Sequence, residues 1–68
     1  MEREIVLSFL NKHVKLERLS PSDDRPFKLF GDIERVSEET LLLRTDTGLG
    51  AIRLQDVISI VEWRDRRL

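Results

Sequence analysis

Residues 27–43 have the sequence FKLFGDIERVSEETLLL, and this stretch decides the fold of the chain. Apolar and polar residues alternate up to Ile33, which is typical of a strand with one buried face. Gly31 lies in the middle of this strand, and the alternation then slips by one residue, because Val36 falls on the polar side. A glycine followed by such a slip predicts a sharp bend or a β-bulge in one long strand over residues 27–36.

Three more strands are predicted after this bent strand. Three consecutive leucines indicate a short strand over residues 40–45 that is buried on both faces. The segment DTGLG at residues 46–50 predicts a hairpin loop, since glycines adopt positive φ without strain. Two short strands follow over residues 51–54 and 58–63, with room between them for one tight turn only.

Upstream of the bent strand, the sequence predicts a helix and one further strand. A helix over about residues 2–11 is indicated by four apolar side chains that share one face at helical spacing, namely Ile5, Val6, Phe9 and Leu10. From Val14 the apolar period changes to two, which predicts a strand over about residues 13–19. Two prolines and several turn-forming residues mark residues 20–26 as a loop.

One helix and five short strands within 68 residues predict a single domain, residues 1–68, of the mainly β class. Strands this short, with a glycine bend in the longest, bury one core by curling. The predicted fold is therefore an N-terminal α-helix followed by a five-stranded, strongly bent antiparallel small barrel of the SH3 type. A chain of this size buries little apolar surface, so we expect self-association or a partner to stabilise it.

The composition excludes several classes of protein. Apolar residues make up 40% of the chain, and twelve basic residues balance thirteen acidic ones for a net charge of −1. The chain is therefore neither a disordered tail nor a basic protein that binds phosphate backbones indiscriminately. The absence of cysteine excludes disulfides and thiol chemistry and leaves His13 as the one soft metal ligand.

The chain shows no sequence signal for export, for a membrane or for catalysis. Its first residues are acidic, and only residues 5–10 form an apolar-leaning run, too short for a membrane span. We therefore expect a cytoplasmic protein without a membrane partner. No nucleophile–base pair and no set of metal ligands at fixed spacing is visible, so we expect no enzyme activity, no cofactor and no metal.

Two motifs, together with the order of the elements, resemble the Sm and Sm-like (Lsm) family and its bacterial Hfq branch in particular. The first motif is the bent strand with its glycine, the turn and the apolar strand, residues 31–43. The second is a short strand, a tight turn and a final strand, residues 52–60. The likeness to the Hfq branch rests on residues 9–11 and 57–59. This resemblance implies a non-enzymatic, RNA-associated protein that forms a homomeric hexameric or heptameric ring and binds single-stranded RNA.

The resemblance also assigns an RNA site beside the central opening of the ring. This site is atypical, because several of its residues differ from those of the family. The family's arginine is kept as Arg53, whereas its acidic residue and its asparagine fall on Ser37 and Leu41. The Lys-His pair of the Hfq branch falls on Gln55 and Asp56. Leucine cannot replace an amide that reads a base edge, so we expect a nucleotide site different from the usual uridine pocket.

Carboxylates would collect at the same opening, because the pore turn of the Hfq branch falls on Glu38 and Glu39. Clustered carboxylates repel phosphate, although adjacent carboxylates in a turn are usually only solvated. A divalent cation is their alternative ligand if a ring forms. Arg53 has two interpretations as well: it grips phosphate or a base, or it forms an ion pair with Asp56 or with a carboxylate of the neighbouring subunit.

Basic residues near the helix end and the C-terminus suggest a second RNA surface on the rim. These are Lys12, His13, Lys15, Arg64, Arg66 and Arg67. For His13, the simpler interpretation is a cation near the free carbonyls at the end of the helix.

The last strand predicts how subunits would associate. It is apolar on both faces, and such an edge invites pairing with another chain. In the Sm-like arrangement this strand pairs with the fourth strand of the next subunit, which assigns to the interface Ala51, Ile52, Leu54, Ile58, Ile60, Val61 and Trp63. The alternative is that Trp63 packs on the helix of its own subunit.

Other interpretations of the same chain remain open. Residues 21–25, together with Phe27 and residues 31–33, are similar to the C-terminal small barrel of the ribosome maturation factor RimP. That resemblance implies an appendage of a larger protein. A scaffold ring for protein–protein interaction that has lost RNA binding is the main alternative from a different functional class.

Overall fold

A computed structural model, which describes residues 1–64, contains a short N-terminal helix followed by five antiparallel strands. The chain is therefore mainly β, as the sequence predicts. Helix α1 spans Arg3–Leu7, and a 3₁₀ turn, Leu54–Asp56, joins the last two strands. The strands are β1, His13–Leu19; β2, Pro26–Val36; β3, Thr40–Thr45; β4, Gly48–Arg53; and β5, Val57–Glu62.

Helix α1 is shorter than the predicted helix over residues 2–11, because the sheet captures the backbone that follows it. The backbone N–H of Asn11 donates to the carbonyl of Ile33 at 2.7 Å, and the N–H of Ile33 donates to the carbonyl of Lys12 at 3.2 Å. Asn11 has a φ of 65°, which turns the chain out of the helix and into β1. Val6 is the fully buried side chain of α1.

The strands form one sheet in the order β4-β3-β2-β1-β5, so that β4 and β5 are its two edges. The sheet is neither closed nor strongly curled, which differs from the predicted strongly bent barrel. Its inner face is covered instead by the N-terminal segment, since Val6 belongs to the core and Met1 and Phe9 pack against it. The core therefore closes without pairing of the two edge strands.

The core consists of ten buried apolar side chains from the helix, all five strands and the 3₁₀ turn. Six of them are less than 2% exposed and form its centre. The complete set is Val6, Val14, Leu16, Ile33, Leu41, Leu43, Ile52, Leu54, Val57 and Ile60. In β3 the middle leucine, Leu42, is only half-buried, so β3 alternates more than three consecutive leucines suggest.

The irregularity predicted after Gly31 is confirmed as a β-bulge. The register between β2 and β3 shifts between Ile33 and Arg35, which leaves Glu34 as the extra residue. Gly31 itself lies against β3, because a Cβ added to it would meet the carbonyl oxygen of Arg44 at 2.3 Å. Glycine is required here for the close approach of the two strands.

The β3–β4 hairpin turns more tightly than the predicted loop over residues 46–50. Thr45 pairs with Gly48, so the turn consists of two residues only. Gly48 has a φ of 137°, a value that side chains rarely tolerate. As a result β4 begins three residues earlier than predicted, and Leu54 leaves the strand for the 3₁₀ turn.

Candidate functional site

Three segments meet at a surface groove, which we call the N-terminal groove. They are the start of the chain, the turn before β3 and the end of β4 with the 3₁₀ turn. The residues that line it are Met1, Glu2, Arg3, Glu38, Glu39, Arg53, Leu54 and Gln55. The groove thus brings together three of the predicted RNA-binding residues, Glu38, Arg53 and Gln55, with Ser37 next to it in the chain.

Hydrogen bonds to the backbone hold the walls of the groove in place. The backbone N–H of Leu54 donates to the carbonyl of Glu39 at 2.8 Å, which ties the 3₁₀ turn to the turn before β3. The Nε of Arg3 donates to the carbonyl of Ser37 at 3.2 Å, which ties α1 to that same turn. The polar side chains of the groove therefore stand on three segments that are fixed to one another.

Arg53 presents its guanidinium to solvent at this groove. Ile52 and Leu54 are buried on either side of it, so the side chain of Arg53 projects from the opposite face, as the alternation predicts. The side chain is 61% exposed, and its Nε lies 3.4 Å from Oδ2 of Asp56. The predicted ion pair within the subunit is therefore present, while most of the side chain stays accessible to a ligand.

Asp56 lies between two arginines rather than free in the groove. Its side chain is 18% exposed, and Oδ2 also lies 3.6 Å from a terminal nitrogen of Arg18. Arg18 is 13% exposed, with its guanidinium 5.6 Å from the centre of the Phe27 ring. Asp56 thus adds less negative charge to the groove than its position in the sequence suggests, because two cations offset it.

Sequence reasoning missed Arg18, although a signal for it exists. Arg18 has the same strand parity as Val14 and Leu16, which are buried. A charged residue on the buried face of a strand needs a partner, because charged side chains are rarely buried unless they are paired. That partner, Asp56, is distant in the sequence.

The ion pairs of Asp56 predict a stability effect. Replacing Asp56 with asparagine leaves the poorly exposed Arg18 without its counter-charge, so we expect the free energy of unfolding to fall by roughly 1–3 kcal/mol. The matched control is Glu62→Gln, which removes the exposed ion pair to Lys12 at 3.9 Å and is expected to cost less than about 1 kcal/mol. Urea unfolding followed by circular dichroism compares the two variants. Equal losses in the free energy of unfolding would contradict the stabilising role assigned to the ion pair between Asp56 and Arg18.

The remaining predicted RNA-binding residues lie elsewhere. Leu41 is fully buried in the core. Lys12 forms the ion pair with Glu62, and the Nδ1 of His13 lies 2.9 Å from Oδ1 of Asp32 on β2. Of the other rim residues, Lys15 lies over the ring of Trp63, Arg64 is exposed, and Arg66 and Arg67 lie outside the described residues.

The predicted interface residues divide between the core and the surface. Ile52, Leu54 and Ile60 contribute to the subunit's own core. Exposed residues of this set are Ala51, Ile58, Val61 and Trp63. Leu49 on β4 is 50% exposed and was missed by sequence reasoning, which placed it in a loop. Each edge strand therefore carries exposed apolar side chains.

Trp63 packs on the sheet rather than on α1. Its ring meets that of Phe30 in an edge-to-face contact, with the centroids 5.4 Å apart and an interplanar angle of 60°. The Nζ of Lys15 lies 5.2 Å from the centre of the Trp63 ring. The backbone N–H of Trp63 continues the ladder by donating to the carbonyl of His13 at 2.8 Å.

Within residues 1–64, no three side chains of the His, Asp or Glu type come close enough together to hold a metal ion. The same residues contain no helix with the length and apolar character that crossing a membrane requires. Comparison of the chain with protein-family models, with curated proteins and with solved structures gave no significant match.

Proposed function

We propose that this protein is an Sm-like subunit that assembles head to tail into a homomeric ring and associates with single-stranded RNA without catalysis. The observation that carries the proposal is the sheet order, which leaves β4 and β5 as two unpaired edges. The short helix before five antiparallel strands adds support, since the motifs of the sequence resemble the same family.

The edges supply both the hydrogen-bonding groups and the apolar contacts of an interface. An edge strand leaves a row of backbone N–H and C=O groups without a strand partner, and these pair readily with another chain. Leu49 on β4 and Ile58 on β5 are each about half exposed, so pairing of these edges would remove them from water. Because the two edges differ, the contact is head-to-tail and closes into a ring when the rotation per subunit divides the circle.

The N-terminal groove supports the RNA half of the proposal. Arg53 offers an exposed guanidinium, which binds phosphate through charge-assisted hydrogen bonds or stacks on a base. Gln55 adds an amide that both donates and accepts beside it. Asp56 does not line the groove, and Arg18 and Arg53 together offset its charge, so the acidic character of the groove is lower than the sequence implies.

One observation favours the second candidate function, a scaffold ring for protein–protein interaction. Glu38 and Glu39 line the same groove as Arg53 and are exposed. Their carboxylates repel phosphate and weaken any binding that depends on Arg53. The two candidate functions therefore differ in whether the groove binds RNA at low salt.

Replacement of Arg53 tests the RNA function. We expect wild-type protein to bind short U-rich, A-rich or mixed RNA in fluorescence polarisation at low salt, and Arg53→Ala to weaken binding by roughly 10–100-fold, since a charged hydrogen bond is lost. The matched control is Arg25→Ala, an exposed arginine in the β1–β2 loop that lies outside the groove. Glu38→Gln is expected to tighten binding by removing a negative charge.

The titration is repeated at a higher salt concentration, because contacts to phosphate weaken as salt increases. Absence of binding at low salt, both by wild-type protein and by Glu38→Gln, would overturn the RNA function and leave the scaffold ring. Equal affinities for Arg53→Ala and Arg25→Ala would show that the groove is not the RNA site.

A further inference from the structure

A second cluster of side chains lies on the outer face of the sheet, the face opposite the core. We call it the outer-face platform, and it consists of Lys15 on β1, Lys28 and Phe30 on β2, and Trp63 after β5. Lys15 is opposite Phe30 in the β1–β2 register, and its neighbours Val14 and Leu16 are buried, which places Lys15 and Phe30 on the outer face.

The two aromatic rings of the platform are accessible to solvent. Phe30 is 43% exposed and Trp63 is 42% exposed, although the rings contact each other. The edge-to-face contact leaves ring surface open to solvent rather than covering it. Large exposed apolar groups that adjoin one another mark binding surfaces more often than isolated ones do.

Two lysines without ion pairs adjoin the rings. Among residues 1–64, neither Lys15 nor Lys28 has a carboxylate within ion-pair distance. Glu17 lies opposite Lys28 in the β1–β2 register and accepts a hydrogen bond from the Ser59 hydroxyl at 3.4 Å, but it forms no ion pair with a described residue. Two other nearby acids are engaged. Asp32 pairs with His13, and Glu34 on the bulge pairs with Arg44. Asp46 is the one further carboxylate that lines the depression beside the rings.

We propose that the outer-face platform binds single-stranded nucleic acid by stacking bases on Trp63 and Phe30, with Lys15 and Lys28 neutralising the adjoining phosphates. Aromatic rings beside lysines that form no ion pair match a ligand that alternates planar bases with negative charges. Because the Nζ of Lys15 lies 5.2 Å from the centre of the Trp63 ring, the base would stack on the part of the ring that Lys15 does not cover. This inference rests on the RNA function proposed above and adds a second contact surface. No residue lines both the depression beside the rings and the N-terminal groove.

An acidic peptide is the competing ligand, and the shape of the platform argues against it. A peptide anchors a protein interface by filling a fully desolvated pocket with a large side chain. Here the two rings are each more than 40% exposed and border an open depression, so they offer ring faces rather than a fully desolvated pocket. A base stacks on an exposed ring face without a pocket.

The fluorescence of Trp63 tests the proposal directly, because Trp63 is the single tryptophan of the chain. We expect short homopolymeric RNA to quench this fluorescence to saturation at low salt. An abasic ribose-phosphate oligomer of the same length has the charges without the bases, and we expect no quenching from it. A copolymer of glutamate and tyrosine serves as the acidic peptide.

Variants give the second measurement, fluorescence polarisation of labelled RNA. We expect Trp63→Leu to weaken binding about tenfold, within the range for one stacked base, and Leu10→Ala, an exposed apolar residue elsewhere, to change it less than about twofold. Lys28→Gln is expected to reduce the salt slope by about one unit. Arg25→Gln is its control, since Arg25 is exposed in the β1–β2 loop and lines neither the depression nor the N-terminal groove.

Failure of this proposal is distinguishable from failure of the groove. In one outcome, RNA binding depends on Arg53, does not quench the fluorescence of Trp63 and is unchanged in Trp63→Leu. This outcome overturns base stacking on the platform and leaves the proposed function in place. In the opposite outcome, RNA still quenches Trp63 in the Arg53→Ala variant, and the variant binds RNA with the wild-type affinity. This outcome excludes the N-terminal groove as the RNA site and supports the platform. Equal quenching by the abasic oligomer, or quenching by the peptide copolymer alone, overturns base stacking.

Discussion

Replacing Gly31 with alanine is expected to lower the free energy of unfolding by at least about 3 kcal/mol, enough to unfold much of the protein. The added Cβ would lie 2.3 Å from the carbonyl oxygen of Arg44 and 2.9 Å from its carbonyl carbon. Both are backbone atoms of β3, so relief of the clash requires β2 and β3 to separate where they pair. A flexible side chain could move aside at little cost, but a paired backbone cannot.

Gly50 provides the matched control, since a Cβ added there meets no atom within 4 Å. We expect Gly50→Ala to change stability by less than about 1 kcal/mol in either direction. Urea unfolding of both variants at the same protein concentration gives the comparison, because the proposed assembly would make apparent stability depend on concentration. A loss below about 1 kcal/mol for Gly31→Ala would show that β2 and β3 do not approach as closely as described.

Replacing Ile58 with lysine is expected to abolish ring assembly while the subunit remains folded. Ile58 lies on the edge strand β5 and is 47% exposed, so the change leaves the core of the subunit intact. In the ring, a lysine at this position would bring an unpaired ammonium into every subunit contact, at a cost of several kcal/mol per contact. Each 1.4 kcal/mol corresponds to about tenfold in the association constant.

Ile5 provides the control for this variant, because it is similarly exposed but lies on α1 rather than on an edge strand. We expect Ile5→Lys to retain the native mass of wild-type protein, and Ile58→Lys to give only the subunit mass. Circular dichroism checks that both variants keep their β content. An unchanged assembly of Ile58→Lys would exclude the β5 edge from the subunit contact.

Much of the fold was predictable because its signals are local. Alternation of apolar and polar residues, together with the short apolar runs at residues 41–43 and 58–63, identified five strands, and Gly31 with the slip before Val36 identified the bulge. The end of the helix was not predictable, because it depends on the backbone hydrogen bonds that Ile33 makes with Asn11 and Lys12, which are distant in the sequence. The open sheet was missed for a similar reason, since the N-terminal segment covers the core that a curled sheet would otherwise enclose.

The candidate site shows the same division between local and distant contacts. The outward direction of Arg53 follows from its buried neighbours, which are adjacent in the sequence. The environment of Asp56 depends on Arg18, and the platform depends on Phe30 meeting Trp63, so both need the strand register. Pairings between distant strands are not encoded in any local pattern, and for this reason sequence reasoning missed them.

Assembly through the two sheet edges is the central claim, and the native mass of wild-type protein tests it most directly. Native mass spectrometry, together with light scattering at several protein concentrations, is predicted to give one closed species of six or seven subunits of 8.0 kDa each. A clean monomer of 8.0 kDa at every concentration would contradict the claim.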